Sequence, residues 1–293
     1  MPINDGSLVH LDGLTKPATT LIEKISDAVG GIFKPFQIVR VAKAEAEGDR
    51  IRAESQIQVT DLHRRAMHRF LEEEAKRQSN IESITEKALP LLEEKSSPQN
   101  MDDDWITNFF DKCRIVSDGD MQRLWSRVLA GEANAPGTFS RRTVSLLADL
   151  EKRDAELFTN LCDFAWIIGD ATPLVFDFNG EVYNRRGISF DTLAHLETLG
   201  LIKIEAVAEF QRMRLPKRVT VFYHGTPVDL TFRNEEQNQI NIGKVLLTHA
   251  GLDLARVCNS KPVEGFFEFV RAKWETESLI AKKDVISGTT PSD

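Results

Sequence analysis

The sequence predicts a mainly α-helical chain, with a long N-terminal helical region, a central helical bundle and a C-terminal α+β module of winged-helix-like order. Three observations predict it. From residue 18 to about residue 168, apolar residues recur at intervals of three and four, the period of a helix with one buried face. Between Pro35 and Pro90 there is no other proline and a single glycine, Gly48, amid strong helix formers. Beyond residue 168, short β-branched and aromatic runs alternate with turn signals such as Asn179-Gly180, Gly200 and His224-Gly225.

Residues 1–17 read as a polar tail. Over 18–36 the apolar residues Leu21, Ile22, Ile25, Val29, Ile32, Phe33 and Phe36 share one helical face, which Gly30 and Gly31 weaken and Pro35 breaks. Packing on the core is one reading. An interfacial membrane helix with Phe33 and Phe36 inserted, giving peripheral membrane contact, is the other, although only Lys24 and Lys34 supply positive charge. Residues 37–89 carry the charge alternation of a solvated helix, as in Asp49, Arg50, Arg52 and Glu54. A narrow apolar stripe runs through Ile51, Val59, Leu62, Ala66, Phe70, Ile81, Ile84 and Ala88. A straight helix of that span is about 80 Å long, against a diameter near 50 Å for a compact chain of roughly this size. It either bends, with Gly48 the expected point, or projects and seeks a partner, most simply a second copy.

Residues 93–104 read as a linker, and 93–101, with Ser96, Ser97, Pro98, Gln99 and Asn100, as the internal segment most open to proteases. The bundle of 105–168 then begins at Trp105, with Asp102–Asp104 at the favourable end of the helix dipole. Ser117 with Asp120 resembles a capping box for a helix over 121–130 that Gly131 ends. Ser140 or Thr138 caps the next helix, 141–150, and Asp154 opens another through Ile168. In the module over 169–262, strands are expected at 174–178, 181–183, 201–205, 219–223 and 228–232, with helices at 188–199 and 249–257. A last amphipathic helix, 263–282, carries Phe266, Phe267, Phe269, Val270 and Trp274 and leads into the tail.

The chain has 293 residues, 41% of them hydrophobic, enough for two domains or one large one with a full core. The net charge of −8 repels a phosphate backbone, so nucleic acid is an unfavoured partner. In the winged-helix reading, the helix Ser189–Leu199 presents Asp191, His195 and Glu197 and no arginine or lysine to a groove. The odd, widely spaced Cys113, Cys162 and Cys258 suit reduced cytosolic thiols, and none sits in a zinc-ligand spacing. Met1–Gly13 lacks the apolar core of a secretory leader, and no apolar run reaches the ~20 residues of a membrane span. A cytoplasmic location is the expectation.

The sequence contains none of GxxxxGK[ST], GxGxxG after a strand, HExxH or GxSxG. Its six histidines do not pair at ligand spacing, so no metal or cofactor is implied. The best candidate site is the loop entering a helix at Glu132, Asn134, Arg141 and Arg142, where free N–H groups and two arginines favour an anion or a partner. Its structural alternative is a rigid interhelical turn bridged by charged side chains. Val59, Leu62 and Phe70 are the candidate self-association residues.

The stretch from Asp102 to Phe158, together with QSNIESITEKALPLL and SFDTLAHLETLGLI, resembles the bacterial family known as domain of unknown function 2806, over roughly residues 35–258. LWSRVLAGE and LEKRDAELF also resemble the abortive-infection alpha proteins associated with phage resistance. That second resemblance implies a role in phage defence and carries no catalytic residue across. Taken together, the expectation is a non-enzymatic, homo-oligomeric interaction protein of phage defence or stress response with a protein partner still to be identified. The rival readings are a winged-helix nucleic-acid binder and an enzyme that acts on a phosphate-bearing ligand at the Arg141/Arg142 loop.

Overall fold

The computed structural model describes residues 15–29, 61–277 and 279. The chain divides into two compact units, Met1–Lys152 and Arg153–Asp293. The first is helical, and the second mixes helices with antiparallel β-structure, as the sequence predicts.

The first unit holds α1 (Lys16–Ala28), α2 (Asp61–Ala88), α3 (Asp103–Cys113), α4 (Gly119–Asn134) and α5 (Arg141–Asp149). Its centre is aromatic. Trp105 stacks on Phe109 at 5.0 Å, and Phe109 meets Trp125 edge-on at 5.1 Å. The apolar face of α1 closes on this core through Ala18, Leu21 and Ile25, and Lys24 pairs with Asp103. Residues 30–36, including Phe33 and Phe36 of the membrane reading, lie outside the described residues.

The C-terminal half of α2 packs on α4, burying Ile81, Ile84 and Ala88. A polar seam fixes that contact. The Gln122 side chain donates to the Val116 carbonyl at 2.9 Å and accepts from Ser83 Oγ and Lys87 Nζ, both at 2.9 Å. Asn80 donates to the Arg114 carbonyl at 2.8 Å. Buried polar groups that are all partnered specify one arrangement of two helices where grease alone tolerates several.

Two predicted helix ends move. The N-cap of α4 is Asp118, not Ser117, because its carboxylate reaches both the Asp120 and Met121 N–H groups, at 2.9 and 3.0 Å. Gly131 does not end α4, which continues to Asn134. A Cβ at Gly131 would lie 2.7 Å from the Phe139 ring, so this glycine makes room for an aromatic side chain. Ser140 is the cap of α5, accepting from Thr143 N at 3.1 Å. The expected linker is also anchored. Ser97 N donates to the Ala133 carbonyl at 3.0 Å, Pro98 and Met101 are buried, and Asn134 holds both Glu93 N and the Leu91 carbonyl.

The second unit opens with α6 (Lys152–Cys162), whose first residue belongs to the first unit. A four-stranded antiparallel sheet of order β2-β1-β5-β6 follows, built from β1 (Ala165–Ile168), β2 (Asp170–Pro173), β5 (Arg218–Tyr223) and β6 (Thr226–Thr231). β3 (Ile202–Ile204) pairs with β8 (Val245–Leu247), and β4 (Phe210–Leu215) pairs with β7 (Asn238–Gly243). The helices are α7 (Glu181–Asn184), α8 (Phe190–Thr198), α9 (His249–Ala255) and α10 (Phe266–Thr276). Trp166, Tyr223, Phe266 and Trp274 form the core, with the two tryptophans edge to face at 4.7 Å.

Here the sequence reading errs locally. Residues 165–168, expected as the end of a helix, form β1, with Trp166 and Ile168 inward and Ile167 outward. Instead of a strand pair about Asn179-Gly180, the chain turns into α7, whose Tyr183 donates its hydroxyl proton back to the Leu174 carbonyl at 2.8 Å. The expected hairpin is present, and its loop is His224-Gly225. Both residues have positive φ, 44° and 83°, the pattern that matches strand twist in a two-residue turn.

Candidate functional site

Every residue of α2 from Asp61 to Glu73 is exposed, a stretch of about 20 Å. Among them are Leu62 at 66% exposure, Met67 at 60%, Phe70 at 57% and Leu71 at 49%. The buried stripe of the other half, Ile81, Ile84 and Ala88, stepped back by threes and fours, leads through Arg77 and Glu74 to Phe70 and Met67. The stripe crosses the Arg77–Glu74 ion pair and turns apolar again at Phe70 and Met67, beyond the core. Leu62 and Phe70, both candidate association residues, stand on this exposed half. Val59 lies outside the described residues.

Glu132 and Asn134 sit at the end of α4 and face inward to the chain's own backbone. Glu132 is buried, and its two carboxylate oxygens accept from Gly137 N at 2.6 Å and Phe139 N at 2.8 Å. It closes the loop onto the helix. Asn134 ties the loop after α2, as described. Arg141 and Arg142 stand on the first turn of α5, both exposed, and Arg141 lies 3.8 Å from Asp104 at the start of α3. The four residues thus separate into an inward pair that shapes the turn and an outward pair that presents two guanidinium groups.

Two polar centres in the second unit were not singled out from the sequence. Asp163 is buried, accepts from Lys261 N at 2.7 Å and pairs with Arg186. Its carbonyl accepts from the Tyr223 hydroxyl at 2.9 Å and from His224 Nε2 at 3.3 Å. Both carboxylate oxygens and the carbonyl are engaged, so Asp163 acts as a clamp between α6, the hairpin turn and the segment before α10. Beside it, burial pushes the Cys162 thiol up, while a hydrogen bond with that thiol lowers Cys258. The second centre is the buried Asp154, whose Oδ1 lies 2.8 Å from His195 Nε2. No motif announces either centre, because their partners come from 23 to 98 residues away. Among the described residues no group of three or more His, Cys, Asp or Glu side chains is placed to hold a metal ion, and no helix is long and apolar enough to cross a membrane.

A family model described as protein of unknown function (DUF2806) matches residues 64–271, most of the chain. The chain belongs to that family. The DUF2806 match begins on the exposed half of α2 and runs through both units to α10. Neither the curated proteins nor the solved structures include one that matches this DUF2806 chain.

Proposed function

We propose that this DUF2806 protein is a self-associating interaction protein that docks through the exposed N-terminal half of α2. One observation carries the reading: four large apolar side chains stand in water on 13 consecutive exposed residues of a helix whose other half is built into a core. Burying a side chain of this kind contributes about 1.5–3 kcal/mol when complete. A second copy offers the same surface and closes the assembly by two-fold symmetry. Phage defence or stress response is the setting we propose for that assembly, on the strength of the resemblance to abortive-infection alpha proteins.

Sedimentation velocity of the full chain over a concentration series tests the docking surface. The unmutated protein is expected to dimerise or assemble further at micromolar concentration, and Phe70→Glu to weaken this about tenfold or more, as loss of a central apolar anchor does. A monomer at every concentration would refute the proposal.

A further inference from the structure

We infer that two copies pair the exposed halves of α2 antiparallel, about a two-fold axis near Arg69; this rests on the self-association reading above. The charge order along the helix points to that geometry. Residues 61–69 carry Arg64, Arg65 and Arg69 against Asp61, and residues 72–77 carry Glu72, Glu73 and Glu74 against Lys76 and Arg77. The formal balance is 3 − 1 = +2 in the first block and 2 − 3 = −1 in the second. A parallel, in-register pair sets the arginine block against itself and the glutamate block against itself. An antiparallel pair centred on Arg69 sets each block beside its opposite.

The apolar residues accept the same register. With the axis level with Arg69, position 67 of one copy lies across from position 71 of the other, so Met67 meets Leu71 twice, and Phe70 flanks that seam. Arg64 and Glu74, on the same face as Met67 and Leu71, then lie across from one another at each end of the seam. Arg69 itself, two residues from both Met67 and Leu71, lies on the face away from the seam, where Glu73 Oε1 stands 3.6 Å from its Nε. Within one helix Arg64 pairs with Asp61 and Glu74 with Arg77, all at side chains in contact with water, so little energy holds these pairs in place and they can be shared with a partner. At this exposure the charges select the direction of pairing and the apolar side chains supply the affinity.

Charge reversal on the full chain tests the geometry. Arg64→Glu/Arg65→Glu makes both blocks acidic, and Glu73→Arg/Glu74→Arg makes both basic. Each variant alone is expected to self-associate about tenfold or more weakly than the unmutated protein, from several like-charge pairs at once. An equimolar mixture is expected to recover association, because every cross-pair is again opposite. Mild oxidation of Met67→Cys mixed with Leu71→Cys should yield mainly the mixed disulfide, since Cα atoms must come within about 7 Å. The native Cys113, Cys162 and Cys258 are buried. Unmutated protein that associates while both charge variants associate equally well, or Met67→Cys that cross-links chiefly to itself, would overturn the antiparallel register and leave self-association standing. A monomeric unmutated protein would overturn both.

Discussion

Replacing Glu132 by Ala should be among the most damaging changes in the first unit, although the residue sits in a loop-closing position that looks like a binding site. The carboxylate accepts from Gly137 N at 2.6 Å and from Phe139 N at 2.8 Å, and Glu132 is 2% exposed. Alanine leaves both donors without an acceptor. The Phe139 N–H is buried and the Gly137 N–H partly so. At about 1–3 kcal/mol per abandoned buried group, with water reaching one of them, the loss is about 2–4 kcal/mol. A domain of roughly this size moves by about 2–4 °C per kcal/mol, so Tm should fall by about 4–16 °C. The damage should spread, because Phe139 also packs on Gly131 and its carbonyl accepts from Trp105 Nε1 at 2.7 Å. Differential scanning calorimetry near neutral pH measures this, with Glu132→Gln, which keeps one acceptor, expected in between. A Tm within about 2 °C of the unmutated protein would refute the assignment of Glu132 as the clasp of the turn.

The exposed arginines beside it should behave oppositely: Arg141→Ala with Arg142→Ala is expected to leave Tm within about 2 °C, as most surface changes do, and a large drop would show that they hold the fold. Gly131→Ala should destabilise by about 1–3 kcal/mol through the clash with the Phe139 ring, despite alanine's better helix propensity, and a more stable protein in thermal melts would contradict it. The Asp118 carboxyl is held below its ordinary value of 3.8, first by the Met121 N–H it caps. A lowered folded value means stability that is present above the unfolded value and lost as pH falls through the folded one. Asp118→Asn, which still caps α4 but does not titrate, should therefore flatten the decline in stability below about pH 4. Parallel acid limbs for the two proteins in chemical denaturation would count against this.

Much of the helical fold is legible in the sequence because helices carry their own signals. The face of Trp105 and its helix, the cap Ser140, and the helix stop at Gly200 all read directly at the right places. What misleads is local ambiguity. Trp166 and Ile168 alternate with Ile167 over four residues, too few to tell a strand from the end of the preceding helix. Gly131 looks like a helix stop until Phe139 is seen to lie against it. Residues 93–104 have the composition of a linker, yet their anchors are a backbone N–H and a proline ring, which composition cannot distinguish from free ones. The candidate loop shows the same limit. Glu132, Asn134, Arg141 and Arg142 are near one another in sequence, but only the burial of Glu132 separates the residue that folds the turn from the two that face water. Asp163 gave no signal at all, since its partners Arg186, Tyr223 and Lys261 are distant in the chain.

The two halves of α2 share one stripe in the sequence and differ in the fold. One stripe, read at a spacing of three and four, includes Phe70, Ile81, Ile84 and Ala88, and periodicity alone treats these positions as equivalent. In the fold, Ile84 and Ala88 are fully buried and Phe70 is not. The charges differ too. Around Ile84 the polar residues Asn80, Ser83 and Lys87 are committed to Arg114 and Gln122 of the same unit. Around Phe70 the ion pairs among the described residues, Arg69–Glu73 and Arg77–Glu74, run along the same helix. Among the described residues this segment buries no side chain, and isolated helices shorter than about 12–15 residues are marginal in water. The exposed half of α2 is about that length, and it carries more apolar surface than a solvated helix needs. A partner that covers Met67, Phe70 and Leu71 would supply packing to this segment, and burial of those three side chains would then stabilise the assembly.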